Sequence, residues 1–268
     1  MLNFISFGSG SSGNCYFLYT ETDGLLIDIG IGIRAIKKHF KEYGIPLSSI
    51  HNILITHDHA DHVKSVGCLS TEFNLPVFTT TLVHEGILRN FCVQKKIKNE
   101  CKRYIEKNIS YQIGEFKVTP FGVPHDSTDN VGYAVEYKDD VFCVITDAGY
   151  ITDEIKTYIN KATFLVIQAN YDHEMLMRGP YPLRLKERIL SDKGHLSNAE
   201  CGKALAENMS EKLKKIWLCH VSDNNNHPEL ARKTVESILA SYGIIVGCDV
   251  SLDVLKRNTP SGIFSLIS

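Results

Sequence analysis

The chain has 268 residues, of which 43% are hydrophobic and 22% are charged, a balance typical of globular domains and unlike that of disordered chains. Its 29 basic and 31 acidic residues nearly cancel, so the net charge of −2 neither requires nor excludes a nucleic acid partner. No apolar run approaches the ~20 residues of a membrane span, and the N-terminus lacks the basic and apolar segments of a signal peptide. We therefore predict a folded, cytoplasmic protein with no membrane partner.

Short strands alternate with amphipathic helices along the chain. The first half predicts strands at 16–20, 25–29 and 53–56, a helix from Ile33 that ends at Gly44, and a second helix over 63–73. The second half predicts strands near 116–121, 133–137, 141–146, 164–168 and 215–219, and helices near 152–160, 183–191, 198–209 and 229–241. No linker or short repeat interrupts this pattern. We predict a single domain over residues 1–268, made of two similar halves.

The sequence His-Asp-His-Ala-Asp-His begins at His57, directly after an apolar strand. At this chain's composition the pattern H-x-H-x-D-H arises by chance about once in a thousand such chains. The strand end turns His57 and His59 to the same side, and the following helix brings Asp61 and His62 beside them. Imidazole and carboxylate are preferred ligands of Zn²⁺ and similar ions, so this segment predicts a metal site.

Four ligands within six residues cannot surround one ion with good geometry, which indicates two ions, each completed from elsewhere in the chain. Three later residues qualify because each follows a predicted strand, where α/β proteins place their ligand sites. They are His125, Asp147 and His220. His227 is the rival to His220 as the last ligand.

Further motifs accompany these candidate ligands. In chain order they are Leu-Leu-Ile-Asp-Ile-Gly around Asp28, the motif that begins at His57, the later His125, Thr-Asp-Ala-Gly around Asp147, and Leu-Cys-His ending at His220. In this order the chain resembles the metallo-β-lactamase-fold superfamily over essentially its full length. It is most similar to the YycJ/VicX (WalJ) group of that superfamily, through Gly-Ser-Gly-Ser-Ser-Gly-Asn-Cys at 8–15, Ala-Asn-Tyr-Asp at 169–172, Arg-Gly-Pro-Tyr-Pro at 178–182 and Lys-Gly-His-Leu-Ser-Asn at 193–198.

The resemblance implies an α/β (α+β) fold, a four-layer αβ/βα sandwich with the metals at one edge. It also implies one metal ion held by His57, His59 and His125 and a second held by Asp61, His62 and His220. Asp147 and a hydroxide would bridge the two ions, which would be Zn²⁺, with Mn or Fe as alternatives. Where the group is expected to carry Glu before Ala-Asn, this chain has Gln168.

Charge and spacing narrow the substrate class. Two divalent ions bring four positive charges and the carboxylates of Asp61 and Asp147 remove two, which suits a hydroxide together with a monoanionic phosphodiester. β-Lactamases usually lack the histidine that this chain carries as His62, which argues against antibiotic hydrolysis. Only 73 positions separate Asp147 from His220, too few for the extra domain of β-CASP nucleases.

Several polar residues are candidate substrate contacts. They are Ser12, Asn14, Asn170, Arg178 and Lys193. The turn at 9–14 could form a backbone nest for phosphate or simply connect two strands. Residues 178–193 hold five basic and two acidic side chains, and residues 95–107 hold six basic and two acidic side chains. Such clusters bind phosphate backbones, and the alternative is a solvated helix face.

His195 is a catalytic candidate together with Asp61. Ser197 and Glu200 have the spacing of a capping box, which predicts a helix that starts at Ser197 with its positive end beside His195. That end of a helix suits an anion. The resemblance to ribonuclease-Z-like phosphodiesterases implies a histidine that reaches the scissile phosphate. The alternative is that His195 only packs before the helix.

These observations predict a dinuclear metal-dependent hydrolase, specifically a phosphodiesterase or nuclease acting on nucleic acid, with DNA favoured over RNA. The resemblance implies exonuclease activity on DNA that uses a metal-bridging hydroxide. One alternative is a small-molecule hydrolase, either a glyoxalase-II-like thioesterase or a cyclic phosphodiesterase. Another is an accessory protein of two-component signalling, to which the group is linked. The oligomeric state is left open.

Overall fold

The computed structural model describes residues 1–266, which contain both strands and helices. The strands are β1 (Leu2–Gly8), β2 (Cys15–Tyr19), β3 (Gly24–Ile27), β4 (Asn52–Leu54), β5 (Val77–Thr79), β6 (Lys102–Tyr104), β7 (Tyr111–Ile113), β8 (Phe116–Gly122), β9 (Val131–Tyr137), β10 (Asp140–Ile145), β11 (Phe164–Gln168), β12 (Lys215–Cys219), β13 (Ser251–Val254) and β14 (Phe264–Leu266). The α-helices are α1 (Ile33–Glu42), α2 (Ala60–Val63), α3 (Val66–Phe73), α4 (Thr81–Arg89), α5 (Asp153–Lys161), α6 (His173–Arg178), α7 (Leu183–Leu190), α8 (Asn198–Asn208) and α9 (Pro228–Ser241). Among the described helices, none has the length and apolar character to cross a bilayer.

The chain forms two compact units. Within the described residues, the first comprises Met1–Pro120, Ser127–Asn130 and residues 256–266, and the second comprises Phe121–Asp126 and Val131–Leu255. The single domain over residues 1–268 stays a prediction, and its last two residues lie outside the described part of the chain.

The first unit is built on a mixed sheet with the strand order β14-β1-β2-β3-β4-β5-β6. Strands β1 to β3 pair antiparallel, and β3 to β6 pair parallel, which aligns the C-terminal ends of β3 and β4. Helix α1 buries Ile36 and Phe40, four residues apart on one face, against this sheet. The helix is followed by Gly44 at a φ of 66°, a conformation that glycine adopts without steric penalty.

The second unit contains the strand order β13-β12-β11-β10-β9. Strands β9 and β10 pair antiparallel, whereas β10 to β13 pair parallel, so the C-terminal ends of β10, β11 and β12 lie side by side. Alternate strand residues such as Ile145, Ile167 and Leu218 pack in one buried cluster with Ile155 of α5 and Leu205 of α8. These parallel strands therefore present the residues that follow them at one edge of the sheet.

The predicted α/β class is confirmed by two mixed sheets with flanking helices, and most predicted elements lie within a few residues of their observed bounds. The helix predicted over 63–73 was wrong in one respect, because the structure has two helices, α2 and α3. The interruption lies at Ser65, whose amide donates to the carbonyl of Ile29 at 3.0 Å. The sequence analysis missed β1, β5, β6, β7, β13, β14, α4 and α6.

Candidate metal centre

In the first unit, the ligand loop, residues 57–62, connects the end of β4 with the first turn of α2. The rings of His57 and His59 lie 4.7 Å apart between centroids, and those of His57 and His62 lie 4.0 Å apart. Asp58 points elsewhere and accepts hydrogen bonds from the amide and hydroxyl of Thr128, at 3.0 and 2.6 Å. The alternation expected at a strand end therefore brings the three imidazoles together and separates Asp58 from them.

A buried carboxylate orders this loop. Asp28 follows β3 at a φ of 60°, which few non-glycine residues adopt. Its Oδ2 lies 2.7 Å from Nδ1 of His62, and its Oδ1 accepts the amide of Thr56 at 2.8 Å. Because a carboxylate accepts hydrogen bonds, Nδ1 of His62 carries the hydrogen and the lone pair of the ring lies on Nε2. His62 is therefore in the tautomer that a metal ligand needs.

Asn14, a candidate substrate contact, is fully buried beside the ligand loop. Its side-chain Nδ2 donates to the carbonyl of Gly10 at 3.1 Å and lies 2.9 Å from Nε2 of His62. The backbone N–H of Asn14 donates to the carbonyl of Asp61 at 2.7 Å. A Cβ at Gly30 would lie 1.7 Å from that same carbonyl oxygen, so only glycine permits this close approach. Ser12, by contrast, is exposed and its hydroxyl donates to Asn258.

The second unit brings together three predicted ligands that are far apart in the sequence. His125 follows β8, Asp147 follows β10 and His220 follows β12. Nε2 of His220 lies 3.5 Å from Oδ1 of Asp147, and Nε2 of His125 lies 4.0 Å from the same oxygen. Asp147 and His220 each have a φ of 52°. Backbone strain of this kind is often found at functional sites.

The backbone of Gly194 orients His125. Nδ1 of His125 donates to the carbonyl of Gly194 at 3.0 Å, which places the lone pair of the ring on Nε2. A Cβ at Gly194 would lie 2.1 Å from the carbonyl oxygen of Ile189, so the chain needs glycine at this position. His125 is thus held by a backbone acceptor, whereas His62 is held by a side chain.

Two further residues complete the group in the second unit. Nδ1 of His195 lies 3.3 Å from Oδ1 of Asp147, and the ligand atoms of Asp147, His195 and His220 all lie within 4.8 Å of one another. Gln168 is fully buried, and its Nε2 lies 2.9 Å from Nδ1 of His195. The sequence feature that could have identified Gln168 is its place as a polar residue at the end of the apolar strand β11. The neighbouring strands β10 and β12 are followed by Asp147 and His220.

Asn170 contacts both the backbone and the ring of His220. Its Nδ2 donates to the carbonyl oxygen of His220 at 2.7 Å and lies 3.1 Å from Nδ1 of that ring. A metal at Nε2 requires a hydrogen on Nδ1, so metal binding competes with the longer of these two contacts. His227 caps α9 instead, because its Nδ1 accepts the amide of Glu229 at 3.3 Å. That role favours His220 over His227 as a ligand.

The basic segment at 178–193 is partly neutralised. Arg178 has an 82% exposed side chain that pairs with Glu174 at 3.6 Å. Arg188 pairs with Asp126, next to His125, and Lys193 is exposed while its carbonyl accepts the amide of Asp126 at 3.1 Å. Arg178 and Lys193 are therefore accessible, whereas Arg188 fixes the His125 segment.

The capping box at the start of α8 is confirmed, with Ser197 as the N-cap and Glu200 bonded back to its amide. The expectation that this helix start suits an anion stays a prediction, and some of its amides already have acceptors within the protein. The backbone N–H of Asn198 donates to the backbone carbonyl of Tyr171, and that of Glu200 donates to the Ser197 hydroxyl.

The hydroxyl of Tyr171 is a weaker acid than usual. Burial is the main cause and the nearby Glu200 carboxylate is the second, and together they raise the pKa of Tyr171 to about 12.

Three comparisons with known proteins bear on this chain. A family model described as a β-lactamase superfamily domain matches residues 24–220. Exodeoxyribonuclease YycJ from Bacillus anthracis is 35% identical over 249 residues, 92% of each chain, and exodeoxyribonuclease WalJ from Streptococcus pneumoniae is 34% identical over 90% of this chain and 89% of its own. The metallo-β-lactamase-fold protein YhfI from Bacillus subtilis matches with a TM-score of 0.71 and 15% identity, over 97% of this chain and 99% of its own. That structural likeness confirms the predicted fold.

Proposed function

This chain belongs to the metallo-β-lactamase superfamily of metal-dependent hydrolases, and we propose that it is a DNA exonuclease that works with two divalent metal ions. The observation that carries the proposal is the 35% identity to an exodeoxyribonuclease over 92% of both chains. The histidines and aspartates that the family resemblance assigns to the metals are all present in this chain.

The donor atoms fit divalent metal ions. Nδ1 of His62 and Nδ1 of His125 each face an acceptor, at 2.7 and 3.0 Å, so both rings can bind a metal through Nε2. Imidazole nitrogens together with carboxylate oxygens suit Zn²⁺, and they also suit Mn and Fe. We assign His57, His59 and His125 to one ion, Asp61, His62 and His220 to the other, and Asp147 to both. Zn²⁺ is the ion that this donor set favours.

When bound, two such ions supply Lewis acidity that polarises a phosphoryl oxygen and activates water. The residues of the chain accept a proton, contact the phosphate and hold the ligand rings in orientation. Asp61, whose side chain is 23% exposed, is both a ligand and a carboxylate that can accept a proton from water. His195, whose side chain is 16% exposed, is the candidate for contact with the scissile phosphate. Asp28 and Gly194 hold the imidazoles of His62 and His125 in orientation.

A phosphodiester matches the charge of the proposed centre, because two divalent ions with two carboxylates leave a positive excess. The exposed side chains of Arg178, Lys193 and Ser12 are the proposed substrate contacts. Asn14 and Asn170 are buried against His62 and His220, so we expect them to orient these rings, and a direct substrate contact by either stays a prediction. The names of the relatives favour DNA over RNA.

The test is a substrate panel with the purified, metal-loaded protein. It comprises end-labelled linear DNA, a covalently closed circle of the same sequence, matched RNA, bis(p-nitrophenyl) phosphate, a glutathione thioester and a β-lactam. We expect linear DNA to be shortened from its ends, the closed circle to stay intact, and the thioester and β-lactam to show negligible turnover.

Two results would contradict the proposal in different ways. Turnover of the thioester without hydrolysis of DNA would indicate a small-molecule hydrolase. Hydrolysis of no substrate by fully metal-loaded protein would indicate an accessory role, such as the predicted link to two-component signalling.

A further inference from the structure

A buried amide beside the candidate centre determines how His195 can act. The side-chain oxygen of Gln168 accepts the backbone N–H of Leu196 at 3.1 Å. Its nitrogen lies 2.9 Å from Nδ1 of His195 and 3.3 Å from Oδ1 of Asp147. A backbone N–H can only donate, so it fixes which end of the amide faces which neighbour. The NH₂ group of Gln168 must face His195 and Asp147.

The NH₂ group offers two hydrogens to two acceptors. One hydrogen points to the carboxylate of Asp147 and the other to Nδ1 of His195, which accepts only when it carries no hydrogen itself. In a neutral imidazole the hydrogen then lies on Nε2. We propose that Gln168 is a positioning residue that holds His195 in the Nε2–H tautomer and so makes it a hydrogen-bond donor and not a metal ligand.

His62 and His125, two of the proposed metal ligands, show the opposite arrangement. Nδ1 of His62 faces the Asp28 carboxylate, and Nδ1 of His125 faces the Gly194 carbonyl. Both partners are acceptors, so both rings keep a lone pair on Nε2. His195 faces a donor at the equivalent nitrogen. Because Nδ1 of His195 accepts from Gln168, the ring nitrogen that faces away from Gln168 carries the hydrogen, whereas the corresponding nitrogen of His62 and His125 carries the lone pair.

Nδ1 of His220 also lies near a side-chain amide, 3.1 Å from Nδ2 of Asn170. That amide makes its shorter bond, 2.7 Å, to the carbonyl of His220, whereas the shorter contact of the Gln168 amide is with the ring of His195.

The competing arrangement has Nδ1–H of His195 donating to Asp147. That contact is 3.3 Å long, whereas the contact with Gln168 is 2.9 Å. A hydrogen on Nδ1 of His195 would also face the NH₂ group of Gln168, so two hydrogen-bond donors would point at each other. Asp147 further lies 3.5 Å from Nε2 of His220, and as a metal ligand it would commit its lone pairs to the metals. The geometry therefore favours donation by Gln168.

One part of the inference rests on the proposed function, namely that Nε2–H of His195 meets the substrate. The side chain of His195 is 16% exposed, so part of its ring is accessible to a ligand. A fixed donor aimed at an oxygen that gains negative charge typically contributes about 10²–10³ in kcat. The tautomer itself is independent of the substrate and can be measured without it.

The experiment is long-range ¹H–¹⁵N NMR of protein labelled with ¹⁵N-histidine, at a pH where the ring is neutral, with and without Zn²⁺. The signals of His195 are assigned from the spectrum of His195→Gln. We expect the ring hydrogen on Nε2 in both states. Gln168→Glu should move it to Nδ1, because the carboxylate accepts where the amide donated. The matched control Gln112→Glu, at an exposed glutamine on β7, should leave the signals unchanged.

Kinetics of Gln168→Met add a second readout. This variant keeps the length of the side chain but cannot donate, so we expect the metal content to be retained, kcat to fall by about tenfold or more, and KM to change by less than about threefold. A hydrogen on Nδ1 of His195 in the original protein, or a large shift of its Nδ1 signal on metal loading, would overturn the inference. A protein that fails to cleave DNA yet shows the Nε2–H tautomer would contradict only the proposed function.

Discussion

In the first unit the candidate ligands come from six consecutive residues that follow β4 and include the start of α2, whereas in the second unit they come from positions just after three different strands. The ligand loop is a local feature that any fold-independent motif search can find. The second set, which comprises His125, Asp147 and His220, comes together only because of the order of the strands that precede these residues. For example, β10, β11 and β12 pair parallel, so the residues that follow them lie at the same edge of the sheet. The comparison separates ligands that depend on local sequence from ligands that depend on sheet topology.

The two sets also differ in what holds them in place. The tautomer of His62 depends on the side chain of Asp28, whereas that of His125 depends on a backbone carbonyl. Asp147 and His220 each have a positive φ just after a strand, and each also contacts a side chain, Gln168 and Asn170 respectively. A single side-chain substitution at the orienting residue should therefore disturb His62 more readily than His125.

The largest effect is expected from Asp61→Ala, which removes a ligand and a proton acceptor at once. We expect phosphodiester hydrolysis to fall by about 10³-fold or more while the circular dichroism spectrum is unchanged. Asp58→Ala is the matched control in the same loop, because Asp58 bonds to Thr128 and points away from the imidazoles. We expect it to lower thermal stability but to retain the metals. Full activity of the Asp61 variant would defeat the assignment.

A smaller effect is expected from Asp28→Asn, which replaces the acceptor that orients His62. We expect metal affinity, measured by chelator competition, to fall by about 10–100-fold. Asp23→Asn is a suitable control, because Asp23 is another buried carboxylate of the first unit that bonds to the backbone of Gly24 and Glu115. Equal loss of metal affinity in both variants would show that general destabilisation, and not the orientation of His62, is responsible.

The sequence predicted the ligand loop and the later strand-end ligands, because both are expressed as residue type and position relative to an apolar strand. It could not assign a role to Gln168, whose function depends on the backbone of Leu196 and on two side chains from other segments. It also could not show that Asn14 is buried against His62, and the predicted substrate contact of Asn14 stays a prediction. Such contacts arise from distant parts of the chain and leave no local pattern.

The missed elements have the same cause. Strand β1 pairs with β14, so Leu2 is opposite Leu266 near the other end of the chain. Strands β5 and β6 have only three residues each and rely on parallel neighbours. The break between α2 and α3 comes from the bond of Ser65 to Ile29, which overrides a continuous helical pattern. In each case the secondary structure depends on hydrogen bonds to residues far away in the sequence, which the local pattern of residues does not show.

For His195→Ala we expect both metals to be retained and kcat to fall by about tenfold or more. The matched control is His227→Ala, which removes the cap of α9 and should affect stability more than kcat. Metal analysis and kinetics on both variants distinguish the roles. Loss of metal from the His195 variant would make this residue a ligand of the second unit, and an unchanged kcat would make it structural.

The smallest effect is expected from Ser197→Ala, which removes the cap of α8. We expect a loss of about 1 kcal/mol in the free energy of unfolding, measured with urea, and little change in kcat. The reason is that His195 is held by Gln168 and by the hydrogen bond that its backbone N–H donates to the carbonyl of Ile189 at 3.0 Å. Thr152→Ala, at the cap of α5, should give a similar loss. A large fall in kcat for the Ser197 variant alone would show that the cap also positions His195.

The central claim is that the ligand loop and the strand-end ligands together hold two metal ions. Anomalous scattering from crystals grown with Zn²⁺ or Mn²⁺ tests this claim most directly. We expect two peaks about 3.5–4 Å apart, one bound by His57, His59 and His125, the other by Asp61, His62 and His220, with Asp147 contacting both. A single peak, a centre that lacks Asp147, or a peak bound by His227 in place of His220 would contradict the account.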